Sequence, residues 1–233
     1  MTEDRDKLFP GKVRFEDLKN HRYIGRKPIY DFLKENACYM GGQVLDFGCG
    51  SMQYDVCFDK ADHITGLDVE GADVIFGKNK HIVYYDGINI PFDDESFDSC
   101  YSIQAFLCIR DYRHSLQEIH RILRPGGYFI ITTDFVLPEM TALPDYTRVT
   151  KKRLIYELEE AGFEVIKIKG STATKHTIRR LKIFCMKYEQ HFPWVVCKLY
   201  TIFSNMMFVL DKDRYKEGLL PYDYLTLCRK KSG

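Results

Sequence analysis

Residues Val44 to Ser51 read V-L-D-F-G-C-G-S, and the fold turns on how this stretch is read. Apolar residues run into an acidic one, and two glycines follow at alternate positions. The pattern predicts a buried strand ending in a tight turn where the backbone comes very close to a ligand. Gly48 and Gly50 leave no side chain in the way. Asp46 stands near the carboxyl end of the strand, where open α/β sheets bind their ligands. The same letters also serve an ordinary strand-to-helix turn, so the stretches around them carry the decision.

Outward from that point the chain repeats the pattern. His63 to Val69 (H-I-T-G-L-D-V) predicts a second strand ending in Asp68, 22 residues beyond Asp46. Nucleotide-binding α/β folds place a carboxylate at this interval, two oxygens matched to two ribose hydroxyls. A third strand, His81 to Tyr85, runs into Asp86-Gly87, where an acceptor suits an adenine amine and glycine leaves room for the flat ring. Phe97 to Ile103 is a fourth, delivering Ser102, Ile103 and Gln104 to the same rim. Leu116 to Leu123 carries a helical apolar stripe, R-P-G-G (124–127) stops it, and Tyr128 to Thr133 is a fifth strand. Strands alternating with helices or crossovers predict a parallel, doubly wound sheet. Upstream, Lys27 to Met40 has helical spacing and Gly41-Gly42 ends it; residues 52–60 predict a short helix. Past Asp134 come a Pro-containing loop over 136–149, a helix from Lys151 to Ala161 and a sixth strand, Phe163 to Lys169. Two helical stretches in 175–210 and a last strand, Tyr222 to Arg229, complete the chain.

At 233 residues the chain is long enough for one α/β domain, and 45% hydrophobic with 29% charged residues is a globular composition. Charge is uneven. Residues 1–135 carry 16 Lys+Arg against 22 Asp+Glu, and residues 136–233 carry 18 against 11. The final third therefore predicts an anionic partner, or a solvated basic helix surface. Eight cysteines form no C-x-x-C pair and no zinc spacing, so no metal site is expected and a reducing compartment fits. M-T-E-D-R-D-K is too charged for a signal peptide and no run reaches membrane-spanning length, which makes a cytoplasmic location the expectation.

Five ordered stretches carry a family resemblance: V-L-D-F-G-C-G, G-L-D-V, D-G-I-N-I-P-F-D-D-E-S-F-D, E-I-H-R-I-L-R-P-G-G and E-A-G-F-E-V. They resemble class I S-adenosylmethionine-dependent methyltransferases of the broad small-molecule type. The resemblance implies a seven-stranded, mostly parallel, Rossmann-like sheet whose last strand inserts antiparallel beside the fifth, after a helical insertion. It implies a single domain: a helical cap over 1–40, a cofactor core over 41–135 and a substrate side over 136–233. Asp46, Gly48, Cys49 and Gly50 would line the methionine part of S-adenosylmethionine. Asp68 would hold the ribose, Val69 would lie against the adenine, Asp86 and Gly87 would meet it, and Gln104 would lie near the methionine end. G-C-G-S-M-Q-Y with F-D-K-A-D-H-I-T-G-L-D-V, and L-P-D-Y-T-R-V-T (143–150), are similar to methyltransferases of glycan and lipopolysaccharide biosynthesis. Met52 replaces a third glycine, and Leu107 and Cys108 stand where many relatives carry Glu-His, so no base is inherited there.

Methyl transfer from a sulfonium is an in-line displacement with an activated leaving group. The protein supplies alignment, and a base if the nucleophile is a hydroxyl. Asp145, Tyr146, Arg148 and His176 are the candidates, Asp145 to take a proton and Arg148 to grip a phosphate or carboxylate bidentately. Alternatively D-Y-T-R-V-T starts the next helix with Thr150 as its N-cap, and His176 is a surface residue. Phe192 to Leu210 is the most apolar stretch. It predicts a core helix over the extra strand pair, a cap on the site, or a peripheral membrane contact. The expected partner is a small molecule, with a nucleotide- or lipid-linked sugar leading. No D-P-P-Y run and no basic–aromatic module argue for nucleic acid, so DNA is not expected and RNA or protein is a minor reading. A silent cofactor-binding subunit serving a partner is the other class.

Overall fold

The computed structural model describes residues 9, 13–140, 143–189 and 192–231. The predicted apolar runs become one seven-stranded sheet. Its strands are β1 (Gly42–Phe47), β2 (Ala61–Val69), β3 (Ile82–Tyr85), β4 (Phe97–Ile103), β5 (Leu123–Asp134), β6 (Phe163–Gly170) and β7 (Asp223–Lys230). Their order is β3-β2-β1-β4-β5-β7-β6, and only β7 runs against its neighbours. The chain therefore builds the expected doubly wound, mostly parallel sheet with an antiparallel last strand. Strand order reverses between β1 and β4, so Phe47 and Ile103 end at the switch point where such sheets hold ligands.

Seven α-helices accompany it among the described residues: α1 (Phe15–Leu18), α2 (Tyr23–Glu35), α3 (Ala72–Phe76), α4 (Tyr112–Ile122), α5 (Lys151–Glu160), α6 (Thr174–Tyr188) and α7 (Trp194–Leu210). Alternation along the strands feeds two cores. Leu45 and Phe47 join Phe129, Ile131, Ile119 and Leu158 on one face. Val44 joins Ile29, Phe32, Leu33, Ile130 and Leu227 on the other. Both faces are covered, as buried parallel strands require. Tyr23, Ile24, Ile183 and Phe208 form a third cluster that binds α2, α6 and α7 together.

Several expectations shift. The helix expected over Lys27 to Met40 begins at Tyr23 and ends at Glu35, where the Asn36 amide donates to the Phe32 carbonyl at 2.7 Å. Residues 52–60 hold only a 3-10 turn, Asp55–Cys57. Met52 stands just before it at φ +57, a left-handed angle that takes the chain off a helical path. β5 begins at Leu123, five residues before the expected Tyr128, because R-P-G-G ends α4 and then forms an irregularity opposite β4 between Phe97 and Ser99. The short α1 and α3 have no counterpart in the sequence reading. α7 does not cover the β6–β7 pair; it packs on α6, α1 and α2.

Gly48 holds φ +69, and a Cβ there would stand 2.3 Å from the Cβ of Ala105. Gly48→Ala should cost about 2–4 kcal/mol in urea unfolding, since backbone strain and overpacking add. Ala105→Gly in the same chain should restore part of the loss. A single variant within about 0.5 kcal/mol of wild type would show that the turn yields instead.

Candidate active site

The glycine turn after β1 is pinned from β2. The N–H groups of Gly48 and Cys49 both donate to the Leu67 carbonyl, at 2.8 and 3.2 Å. Gly50 N–H donates to Asp68 Oδ2 at 2.7 Å, and Val69 N–H donates to Asp68 Oδ1 at 2.8 Å. Asp68 is thereby oriented while half-buried, and burial raises its pKa. Val69 is 45% exposed beside Gly87, whose added Cβ would lie 3.2 Å from Val69 Cγ1. Asp46 is fully covered beside the Tyr101 hydroxyl, and burial raises it well above the carboxylate range. Cys49 points away from the rim, packed with Met52 and Ile82 behind the turn. Asp86 is exposed and closes its own loop, accepting from Ile88 N–H at 2.8 Å and Asn89 N–H at 3.1 Å.

Two further candidate residues escaped the sequence reading. Asp134 ends β5 and Asp223 begins β7, and the antiparallel register sets them directly opposite each other. Both are buried, at 1% and 0% exposure. Gln104, at φ +55 after β4, donates its amide N–H to both, at 3.0 Å to Asp134 Oδ1 and 3.3 Å to Asp223 Oδ1. The two Oδ2 atoms are left without a partner. Burial pushes Asp134 up to about 6, while its hydrogen bond with Asp223, then Arg148 and Gln104, pull it down. Burial and then the Asp134 charge push Asp223 well above the carboxylate range. Two buried carboxyl groups this close favour retaining one proton between them, with Asp223 the more strongly raised of the two. The end-of-strand rule that selected Asp46 and Asp68 also selects Asp134. Asp223 becomes visible only once β7 is known to run backwards.

The loop over residues 143–150 docks beside this pair. Tyr146 N–H donates to the Leu107 carbonyl at 2.8 Å, and Val149 is buried in the main core. Arg148 pairs with Asp145 through both guanidinium nitrogens, the Nη2 contact being 2.7 Å, and Met140 N–H donates to Asp145 at 2.9 Å. That bridge holds the Asp145 carboxyl below its usual range, which makes it a weak proton acceptor. Thr150 also caps α5, accepting from Arg153 N–H at 3.4 Å. Cys108 marks where the two halves meet: burial, then Asp134, Asp145 and Asp68 in turn, push its thiol up to about 11. His176 is neither a surface residue nor part of the rim. It is buried, donates to Asp211 at 2.7 Å and accepts from Arg179 at 3.1 Å.

This donor set fits S-adenosylmethionine. A sulfonium and an ammonium suit a rim of buried and half-buried carboxylates with unpartnered oxygens, and Asp68 suits a diol. The turn is closely packed on its own side: Ala105 stands against Gly48, and a Cβ at Gly50 would meet the Phe76 ring at 3.4 Å. Two open cavities lie elsewhere. One of about 380 Å³ is lined by Met52, His63 and His81, and one of about 330 Å³ lies between Thr174 and Lys216. The fit rests on the chemistry of the donors.

Residues 45–131 match the model of a methyltransferase domain family. The chain is 39% identical over 98 residues to a phthiotriol/phenolphthiotriol dimycocerosates methyltransferase of Mycobacterium tuberculosis, covering 38% of this chain and 36% of that protein. It is 31% identical over 129 residues to a demethylmenaquinone methyltransferase of Staphylococcus haemolyticus, covering 51% of each. The chain thus spans between about a third and a half of the length of these curated relatives. Among solved structures, the [4+2]-cyclase SpnF superposes with a TM-score of 0.60 at 20% identity, over 88% of this chain and 81% of that one, a likeness of fold. Sheet order, glycine turn and family match agree on a methyltransferase-type domain over residues 45–131.

Proposed function

We propose that the chain transfers the methyl group of S-adenosylmethionine to a hydroxyl of a small amphipathic precursor, a lipid-linked sugar being the leading form. The observation that carries the hydroxyl is the Asp134–Asp223 pair, held by Gln104 at the acceptor end of the rim. A hydroxyl must shed its proton as it is methylated, and a carboxylate raised to about 6 takes it far better than an exposed one. Relatives named for lipid and quinone substrates, and the resemblance to glycan enzymes, support an amphipathic acceptor.

When bound, the cofactor supplies a methyl group on positive sulfur, which departs as a neutral thioether. The chain's own residues do the rest. Asp68 holds the ribose hydroxyls, and the Gly48–Gly50 turn lets the backbone approach. Asp134 accepts the acceptor's proton. Asp223 keeps its own, so the site holds a single negative charge in low dielectric. Gln104 fixes both carboxyl groups, and the Arg148–Asp145 bridge sets the loop that meets the acceptor.

Asp68→Ala should weaken cofactor binding by roughly tenfold or more in calorimetry, the loss of a charged hydrogen-bond acceptor. Unchanged affinity would remove the ribose role. Asp134→Asn should lower turnover by about 10²- to 10³-fold, whereas Asp223→Asn, which mimics a protonated carboxyl, should stay within about tenfold of wild type. Turnover should rise with pH through about 6, and Arg148→Ala should move that rise to higher pH, because the guanidinium now holds Asp134 down. An equal loss in both Asn variants would sink the assignment of the base.

Stability should move the other way. Folding raises Asp134, so its contribution is full below the ordinary carboxylate value near 4 and is lost as pH climbs through about 6. Asp134→Asn should accordingly melt higher than wild type at pH 8, with the gain shrinking as pH falls below about 6. Cofactor binding without methylated product from any hydroxyl-bearing acceptor would favour a silent cofactor-binding subunit.

A further inference from the structure

α7 is built inside out. Its inner side carries Thr201, Ser204, Asn205 and Phe208, all buried. Three of the four are polar. Thr201 donates to the Cys197 carbonyl at 2.8 Å, and the Asn205 amide donates to the carbonyls of Leu18 and Asn20, each at 2.8 Å. The side facing water carries Val195, Leu199, Phe203, Met206 and Leu210, which are 39–67% exposed. Their spacing of four, four, three and four residues makes one straight stripe, about 23 Å long at the helical rise. A surface helix normally has the opposite arrangement. A continuous exposed apolar stripe of this size marks an interaction surface.

The border of the stripe says what it meets. No Asp or Glu occurs between Phe192 and Leu210. Lys198 Nζ stands 4.4 Å from the centre of the Trp194 ring, and Lys182 of α6 stands 5.1 Å from that of Tyr200. Across residues 174–216 there are nine Lys and Arg against three Asp and Glu. One of the three, Asp211, is occupied by Lys175 and His176. Trp194, at the start of the helix, is 70% exposed, and an indole with one polar edge favours the boundary between headgroups and acyl chains.

We propose that the outer face of α7 rests on an anionic lipid surface, with Leu199, Phe203 and Leu210 in the acyl boundary and Lys182 and Lys198 against the headgroups. A second copy stacked on the same stripe would cover the apolar side chains but bring like-charged borders together. Anionic lipid uses both features. The face also belongs to the acceptor side of the molecule. α6, which carries α7, holds Arg180 over the Tyr222 ring at 5.6 Å, one residue before Asp223. Docking would deliver a lipid-linked acceptor beside the acid pair. That purpose rests on the proposed function; the docking itself does not.

The chain's only tryptophan lies at the docking end, so its fluorescence reads the contact directly. With the full chain, Trp194 emission should shift to the blue and be quenched by brominated acyl chains on phosphatidylglycerol-containing vesicles. Pure phosphatidylcholine should hold at least tenfold less protein, and high salt should release it. Leu199→Glu with Phe203→Glu should lower vesicle retention at least tenfold while melting and cofactor affinity stay as in wild type. Lys182→Glu with Lys198→Glu should abolish the preference for phosphatidylglycerol. Unshifted Trp194 emission on anionic vesicles would overturn the proposal. So would a solution dimer by light scattering that Leu199→Glu dissociates. A chain that binds cofactor and ignores vesicles overturns the docking alone, and one that docks without binding cofactor overturns the proposed function alone.

Discussion

β7 enters the sheet head-down between β5 and β6, and that antiparallel register is the constraint on which the acceptor end depends. Side chains alternate along a strand, so a slip of one residue would turn Leu225 and Leu227 out of the core. Each such side chain is worth about 1.5–3 kcal/mol when buried. Together they are enough to hold Asp223 opposite Asp134 against the repulsion of two carboxyl groups. The repulsion is relieved in the cheapest way available, by retaining a proton. Apolar register thus creates an unusual electrostatic site without any residue being selected for it alone.

Environment then assigns different roles to chemically identical groups. Asp145 lies against a guanidinium and stays ionised and unreactive, a strut for its loop. Asp134, covered by protein, is raised by burial to about 6 even though the same guanidinium draws it down. Asp68 lies between these extremes, half-buried and steadied by two backbone N–H groups. In the proposed function, three aspartates at one rim would thereby divide into a strut, a proton acceptor and a ribose clamp.

Much of this was legible in the sequence, for local reasons. The glycine turn and the strand ends at Asp68 and Gln104 follow from periodicity, the backward last strand follows from the family resemblance, and the sheet forms with those strands in that order. Boundaries moved where the backbone does something local composition hides. Met52 takes a left-handed angle without being glycine, and β5 absorbs an irregularity at Pro125 and its neighbours. The acid pair was illegible because it joins residues 89 positions apart through a register that only the folded sheet defines. The loop over 143–150 was read as either a site or a helix start. Thr150 caps α5, while Asp145 and Arg148 pair with each other ahead of it.

The polar inner side of α7 has a consequence for how the helix behaves. An ordinary amphipathic helix is held by greasy burial and can roll to hide what water dislikes. Asn205 instead clamps this one by donating to two main-chain carbonyls near the amino end, at a contact where rotation would leave those acceptors bare. Orientation is thus locked by hydrogen bonding as well as by the apolar cluster around Phe208. α7 presents its apolar flank as a permanent feature of the folded state.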